Sequence, residues 1–243
     1  MRRLPALLAA ALGVALAAPA PAATEQAAPA PRVERFGASV QGRPINAVRV
    51  GDPAAPRKVL VVGSIHGDET QGHRVARFVR SYARDADGVE LWTIETVNPD
   101  GVAAGTRGNR HGVDLNRNFA TGWKPIPPSS GYYSGPQSFS EPETRAVRRF
   151  MRRERPEITV WYHQPWGRTL IPCDRRGRRV ALRYARLSGL PARDCFPTPP
   201  GAATAWQDEA LHAKAFVVEL PGRALRASEV RRHARALARI ASR

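Results

Sequence analysis

The chain has 243 residues, of which 42% are hydrophobic, so it is long and apolar enough for one domain with a buried core and is not a disordered tail protein. Its two cysteines exclude a disulfide framework and a cysteine-built zinc finger. The formal charge of +17 suggests a polyanionic partner, but 35 of the 38 basic residues are arginines spread along the chain, as a GC-rich genome would produce. We therefore expect no nucleic-acid partner.

The N-terminal residues have the pattern of a secretory signal peptide. Arg2 and Arg3 precede an uncharged apolar run, and small residues at 20–22 fit a cleavage site. The run is short for a membrane span, although an uncleaved anchor is the alternative. We predict a signal peptide over 1–22, a flexible leader over 23–31 and one folded domain over 32–243. The mature protein would be secreted or extracytoplasmic, without stable membrane insertion.

Export changes the expectation for the two cysteines, Cys173 and Cys195. Outside the reducing cytosol, pairing with each other is favoured, and the bridge would tether the segment between them. Two unpaired buried thiols are the alternative, because a sequence does not give the distance between two side chains. We predict the disulfide.

Apolar β-rich runs alternate with helical patterns along the rest of the chain. Strands are predicted over 47–50, 59–62, 91–97, 158–162 and 215–220, and helices over 69–84 and 180–187 and from Ser140 and Ser228 onwards. Ser140 is assigned as an N-cap because Pro142 and Glu143 follow it in the first turn. The pattern indicates an α/β fold: a single layered domain with a mixed, mostly parallel central sheet flanked by helices.

Candidate metal ligands follow two of the predicted strands. His66 and Glu69 come directly after the second strand, and zinc accepts both imidazole nitrogen and carboxylate oxygen. The chain has no His-Glu-x-x-His motif, so a third ligand must come from a distant position. His163 follows the fourth strand, at the sheet edge where α/β folds place ligands, and His111 in a long polar segment is its rival. The remaining histidines are expected to be solvent-exposed: His73, His212 and His233.

Further motifs lie in the polar segment over 98–135 and beyond it. They are Asn98-Pro99-Asp100-Gly101, Arg107, Asp114-Leu115-Asn116-Arg117-Asn118, and Glu219 on the last predicted strand. Together with His66, Glu69 and His163, in this order, they resemble the zinc carboxypeptidases of the carboxypeptidase A type. The stretch from Tyr162 to Gly167 and the small size resemble the bacterial murein peptide amidases, which release diaminopimelate from the γ-D-glutamyl bond of peptidoglycan peptides.

The resemblance implies a zinc centre. His66, Glu69 and His163 would hold one Zn²⁺ per chain and leave the fourth position for water. Glu219 would be the general base that acts on this water, a task suited to a partly buried carboxylate with a raised pKa. Asp114 would hold the far nitrogen of His66 and set its tautomer.

The resemblance also implies substrate contacts. Arg107 would stabilise the developing oxyanion, while Asn116 and Arg117 would bind the terminal carboxylate of the peptide. The family's mobile active-site tyrosine has no evident counterpart, because the one tyrosine between the third ligand and Glu219 is Tyr184, inside a predicted helix. The specificity segment, 201–206, has small side chains that leave room for the second amino-acid head of diaminopimelate.

These observations favour a secreted zinc metallo-carboxypeptidase that hydrolyses the C-terminal amide bond of small peptides with a free C-terminal carboxylate. The expected substrates are peptidoglycan peptides with a γ-D-Glu–diaminopimelate bond. The alternatives are a zinc deacylase with the same ligand set and a non-catalytic basic cell-wall-binding protein. The basic surface would also favour electrostatic association with an anionic cell wall, which steep salt dependence would reveal.

Overall fold

The computed structural model describes residues 30–83, 88–173 and 175–242. The predicted signal peptide and residues 23–29 of the predicted leader lie outside the described residues. Within these residues, eight strands form one sheet: β1 (Arg32–Ala38), β2 (Pro44–Gly51), β3 (Arg57–Val62), β4 (Val89–Ile94), β5 (Ile158–His163), β6 (Trp166–Pro172), β7 (Ala192–Phe196) and β8 (Lys214–Pro221). Their order across the sheet is β1-β2-β4-β3-β5-β8-β6-β7. Four of the seven pairings are parallel, so the sheet is mixed and mostly parallel, as predicted.

Helices cover both faces of this sheet. They are α1 (Gln71–Ala83), α2 (Pro99–Ala104), α3 (Pro142–Glu154), α4 (Arg175–Ser188), α5 (Ala203–Leu211) and α6 (Ala227–Ala241), with a short 3-10 helix at Leu115–Arg117. Because side chains alternate along a strand, Val59 and Val61 of β3 join the core under α1, α4 and α6. Leu60 and Val62 join the core under α3 and α5. Among the described residues, no helix has both the length and the apolar character needed to cross a membrane.

The predicted elements match the structure best where the strands are buried. The five predicted strands correspond to β2, β3, β4, β5 and β8, but β4 ends at Ile94, because the chain then leaves the sheet and the N–H of Val97 bonds to the carbonyl of Ser64. The prediction of Ser140 as an N-cap was wrong: α3 is capped at Glu141, and the Ser140 hydroxyl donates to the Glu141 carboxylate. Strands β1, β6 and β7 were not predicted.

The prediction of an exposed His233 was also wrong. This histidine is 3% exposed on the inner face of α6, where it lies one turn from Val230 and from Leu237 in the apolar stripe of the helix. Its Nδ1 is 2.6 Å from the hydroxyl of Tyr184, which is 2.7 Å from the hydroxyl of Tyr162. The sequence around His233 is rich in arginines, which lie on the outer face of α6, and this is why the histidine was predicted to be exposed.

A disulfide links the end of β6 to β7. Cys173 directly follows β6, Cys195 lies on β7, and their Cα atoms are 4.2 Å apart. Helix α4 begins two residues after Cys173, so the bridge lies beside the start of that helix. Tyr184 is buried inside α4, in agreement with the prediction that it is part of a helix.

Candidate metal and active site

Three parallel strands bring the candidate ligands and Glu219 to one edge of the sheet. His163 ends β5 and lies directly opposite Glu219 of β8, while β3 leads into the turn that carries His66 and Glu69. That turn packs closely on the start of α2, because a Cβ at Gly67 would overlap the backbone of Gly101. The four polar residues are all buried.

His66, Glu69 and His163 converge on one point. Nδ1 of His66 is 2.9 Å from Oε2 of Glu69 and 3.2 Å from Nδ1 of His163, and the last pair, His163 Nδ1 and Glu69 Oε2, is 2.8 Å apart. Four-coordinate zinc with bonds of about 2.0 Å has ligand atoms about 3.3 Å apart, so a small expansion of this triangle fits the ion. The three residues could therefore hold a metal ion. His111, the rival of His163, instead places its Nδ1 2.7 Å from Glu141.

Asp114 links this cluster to Arg107. One oxygen of Asp114 lies 3.0 Å from Nε2 of His66 and accepts the backbone N–H of Asn116, and the other accepts from Nε of Arg107 at 3.0 Å. Arg107 also reaches Glu69, with 3.4 Å between Nη1 and Oε1. Fully buried Asp114 thus fixes the ring of His66 and the guanidinium of Arg107 together.

The buried charges shift each other's pKa values. Burial alone would raise the pKa of Glu69, but the charge of His163 and hydrogen bonds from both histidines outweigh it and hold the pKa well below its usual value. Burial lowers the pKa of His163, although Glu69 opposes this shift. The buried cluster thus keeps Glu69 ionised, which is the form of a carboxylate that binds metal.

Glu219 has a different environment from Glu69. It is 7% exposed, and its Oε2 has no hydrogen-bond partner within the part of the chain that the structure describes. Burial, and then the nearby charge of Glu69, raise its pKa to about 7. A carboxylate in this state exchanges a proton readily near neutral pH.

The polar loop after α2 supplies the opposite side of the site. Asn116 and Arg117 lie in the 3-10 helix, where Oδ1 of Asn116 accepts the backbone N–H of Ala203 at the start of α5. Asn118 then anchors the following loop, because its buried amide donates to the carbonyls of Ser134 and Gln137. These bonds hold the loop in place without a long helix or strand.

Tyr132, in that loop, was not singled out by the sequence. Its ring lies 5.0 Å from Cζ of Arg107 and 5.3 Å from Cζ of Arg117, so the ring contacts both guanidinium groups. Tyr132 is 53% exposed, and the carbonyl of the next residue, Tyr133, accepts the N–H of Asp114. The loop has no periodic pattern, so no sequence signal points to this contact.

All eight site residues predicted from the sequence are near one another in the structure. Seven of them line one cavity of about 750 Å³: His66, Glu69, Arg107, Asn116, Arg117, His163 and Glu219. The eighth, Asp114, lies behind them. Tyr132 lines the same cavity, as do Thr204 and Ala205 of the predicted specificity segment.

Comparisons with known proteins agree with this geometry. The model of the zinc carboxypeptidase family matches residues 22–174. Murein peptide amidase A of Escherichia coli K12 is 33% identical over 159 residues, a match that spans 58% of this chain and only 62% of that protein. Murein peptide amidase A of Vibrio campbellii is 30% identical over 214 residues, covering 79% of this chain and 84% of that protein.

Solved structures give the same result. The murein-tripeptide amidase of Escherichia coli O157 superimposes with a TM-score of 0.68 at 26% identity, covering 86% of this chain and 91% of that one. Carboxypeptidase A of Helicoverpa armigera has a TM-score of 0.75 at 18% identity, covering 87% and 68%, and shows a shared fold. The chain therefore belongs to the zinc carboxypeptidase family, as its motifs predicted.

Proposed function

We propose that the protein is a secreted zinc carboxypeptidase that hydrolyses the C-terminal amide bond of small peptides. The observation that carries the proposal is the convergence of His66, Glu69 and His163 in one cavity with Glu219. Oε2 of Glu219 has no hydrogen-bond partner among the described residues. The ligand triangle fits zinc, and Asp114 supplies the hydrogen bond that a metal-binding histidine needs on its other nitrogen.

His66, Glu69 and His163 would hold one zinc ion. When bound, zinc supplies a Lewis acid that polarises the scissile carbonyl and makes water a better nucleophile. Glu219 takes the proton from the attacking water and returns it to the leaving amine, and a pKa of about 7 suits both transfers. Arg107 stabilises the negative charge that develops on the carbonyl oxygen.

The terminal carboxylate of the substrate would be bound by Asn116 and Arg117. A guanidinium offers a planar pair of donors to a carboxylate, and the neighbouring amide adds a further donor. Tyr132 covers Arg107 and Arg117 and holds the two like charges at the same side of the cavity. Contacts that bind a terminal carboxylate favour a peptidase over a deacylase.

The proposed substrates are peptidoglycan peptides with a γ-D-Glu–diaminopimelate bond. Two relatives that match this chain at 30% and 33% identity are named murein peptide amidases. The disulfide and the predicted signal peptide favour a location outside the cytoplasm. The high positive charge would support electrostatic association with an anionic cell wall.

The test incubates the purified chain with L-Ala-γ-D-Glu-meso-diaminopimelate and with a panel of peptides that end in ordinary amino acids. We expect about one zinc per chain by elemental analysis and cleavage of the murein peptide that a chelator abolishes. Cleavage of ordinary peptides alone would remove the cell-wall assignment and keep the peptidase. Cleavage of N-acyl compounds without a terminal carboxylate would instead identify a deacylase.

The role of Glu219 has its own prediction. Glu219→Gln should lower kcat by about 10²- to 10⁴-fold, because the amide does not accept the proton, while the zinc content stays at the wild-type level. Glu34→Gln on β1, far from the cavity, is the matched control and should keep full activity. An unchanged kcat in Glu219→Gln would contradict the mechanism.

A further inference from the structure

The cavity continues beyond the metal cluster along one face of β8. Glu219, Val217 and Ala215 alternate along this strand and line the cavity, so it follows the strand for four residues, or about 13 Å. The cavity thus extends from the reacting groups towards the start of β8, well beyond the terminal-carboxylate contacts at Arg117.

The sides of this extension carry small side chains. Thr204 and Ala205 of α5 face it, together with Ala215 of β8. No large side chain from these positions blocks the passage. A long side chain on the C-terminal residue of a bound peptide would run along these small residues towards the start of β8.

A cation and an anion lie side by side at that far end. Nη1 of Arg176, near the start of α4, is 3.2 Å from Oδ1 of Asp208 on α5 and donates to the Asp208 carbonyl at 2.8 Å. The same atom is 2.9 Å from Nδ1 of His212. Arg176, Asp208 and His212 all line the cavity.

We propose that Arg176 and Asp208 bind the zwitterionic head of a C-terminal residue whose side chain ends in a second amino acid. Arg176 pairs with the distal carboxylate, and Asp208 pairs with the distal ammonium. This inference rests on the proposed function, because the peptide is placed by its main-chain carboxylate at Asn116 and Arg117. It assigns to two residues the selectivity for diaminopimelate over simpler side chains.

Charge complementarity supports the zwitterion over singly charged side chains. A lysine side chain would bring its ammonium to Asp208 but also close to Arg176, and it has no carboxylate to offer the guanidinium. A side chain that ends only in a carboxylate would pair with Arg176 but also lie close to the like charge of Asp208, and it has no ammonium to offer that carboxylate. Only a head with both charges pairs with both residues, and paired guanidinium and carboxylate groups form strong hydrogen bonds.

The experiment compares three peptides, L-Ala-γ-D-Glu-X, in which X is meso-diaminopimelate, L-lysine or L-2-aminopimelate. The last two lack the distal carboxylate and the distal ammonium, respectively. We expect wild-type kcat/KM to be highest for diaminopimelate, by about tenfold or more. Arg176→Met should remove the advantage over lysine, and Asp208→Asn should remove the advantage over aminopimelate.

Arg178→Met is the matched control. Arg178 lies on the same helix, pairs with exposed Asp194 and does not line the cavity, so its replacement should leave all three ratios unchanged. Dissociation constants of the same peptides on Glu219→Gln protein, with and without the second substitution, should show the same pattern without turnover.

The outcomes separate this inference from the proposed function. If wild-type protein cleaves the peptides but the ratios of Arg176→Met and Asp208→Asn equal those of wild type, the zwitterion site is wrong and the peptidase stands. If wild-type protein cleaves none of them, the proposed function fails. The dissociation constants then decide alone whether the far end of the cavity selects the zwitterionic head.

Discussion

Asp114 has more influence on the active site than its position behind the cavity suggests. Its two oxygens fix His66, Arg107 and the backbone of Asn116, so one buried carboxylate orients a proposed metal ligand, the proposed oxyanion donor and the turn that carries Asn116 and Arg117. Hydrogen bonds to His66 and the charges of His66 and Arg107 hold its pKa far below the usual value, in spite of burial. Asp114 is therefore ionised across the pH range in which such an enzyme works.

Replacement of Asp114 tests this role. Asp114→Asn should weaken zinc binding by about 10- to 100-fold, because the amide no longer stabilises the correct tautomer of His66. Competition with a chromophoric chelator measures the affinity. Asp52→Asn in an exposed turn is the control, and equal zinc affinities in the two variants would contradict the role.

Tyr132 is a second single residue whose replacement tests the site. Two cation–π contacts at a half-exposed ring contribute about 1–2 kcal/mol, so Tyr132→Ala should raise KM roughly tenfold with a smaller change in kcat. Tyr132→Phe keeps the ring and should stay close to wild type. Steady-state kinetics on the murein peptide gives both values, and a loss of kcat alone would show that the ring does not act through substrate binding.

The turn after β3 illustrates how elements are fitted around the site. Gly67, beside His66, lies against the backbone at the start of α2, and there is no room for a Cβ. Gly67→Ala should push α2 and the turn apart, cost about 1–3 kcal/mol in the free energy of unfolding and weaken zinc binding. Urea unfolding of the metal-free protein checks the first effect. Gly131→Ala, at a position with open space around it, should change stability by less than about 0.5 kcal/mol.

The elements also explain what the sequence could and could not reveal. The ligands at the ends of β3 and β5 were predictable, since long buried strands are clear in the sequence and parallel strands end at the same edge. Strand β7, Ala192–Phe196, is short and exposed at the sheet edge, so it lacks the apolar pattern of the central strands. Two other contacts join residues that are far apart in the sequence: Tyr132 with Arg107, and Arg176 with Asp208. These residues lie in loops or near helix ends, where a hydrophobic pattern does not predict which residues meet.

On the scale of the whole molecule, the buried chain of Tyr162, Tyr184 and His233 makes stability depend on pH. Burial lowers the pKa of His233 to about 4, from an unfolded value of 6.5. Between these two values the unfolded chain binds a proton that the native protein does not. The free energy of unfolding should therefore fall by about 2–3 kcal/mol as the pH falls from 6.5 to 4.

Unfolding measurements on wild type and His233→Gln isolate this effect. The variant is expected to be less stable near neutrality but to lose less stability on acidification, and the difference between the two proteins removes the contribution of the metal ligands. His212→Gln, at an exposed position, should keep the wild-type slope. Identical slopes in wild type and His233→Gln would contradict the assignment.

The disulfide between Cys173 and Cys195 stabilises one part of the cavity wall and lies outside the metal cluster. The metal cluster lies on β3 and β5 and is held by packing and hydrogen bonds. The cavity is also bordered by β6, β7 and the start of α4, and the disulfide links the segment between β6 and α4 to β7. We expect thiol reduction to loosen the part of the cavity proposed to bind the substrate side chain and to leave the candidate metal cluster in place. Under the proposed function, reduction should therefore lower the selectivity among C-terminal side chains more than the rate of hydrolysis itself.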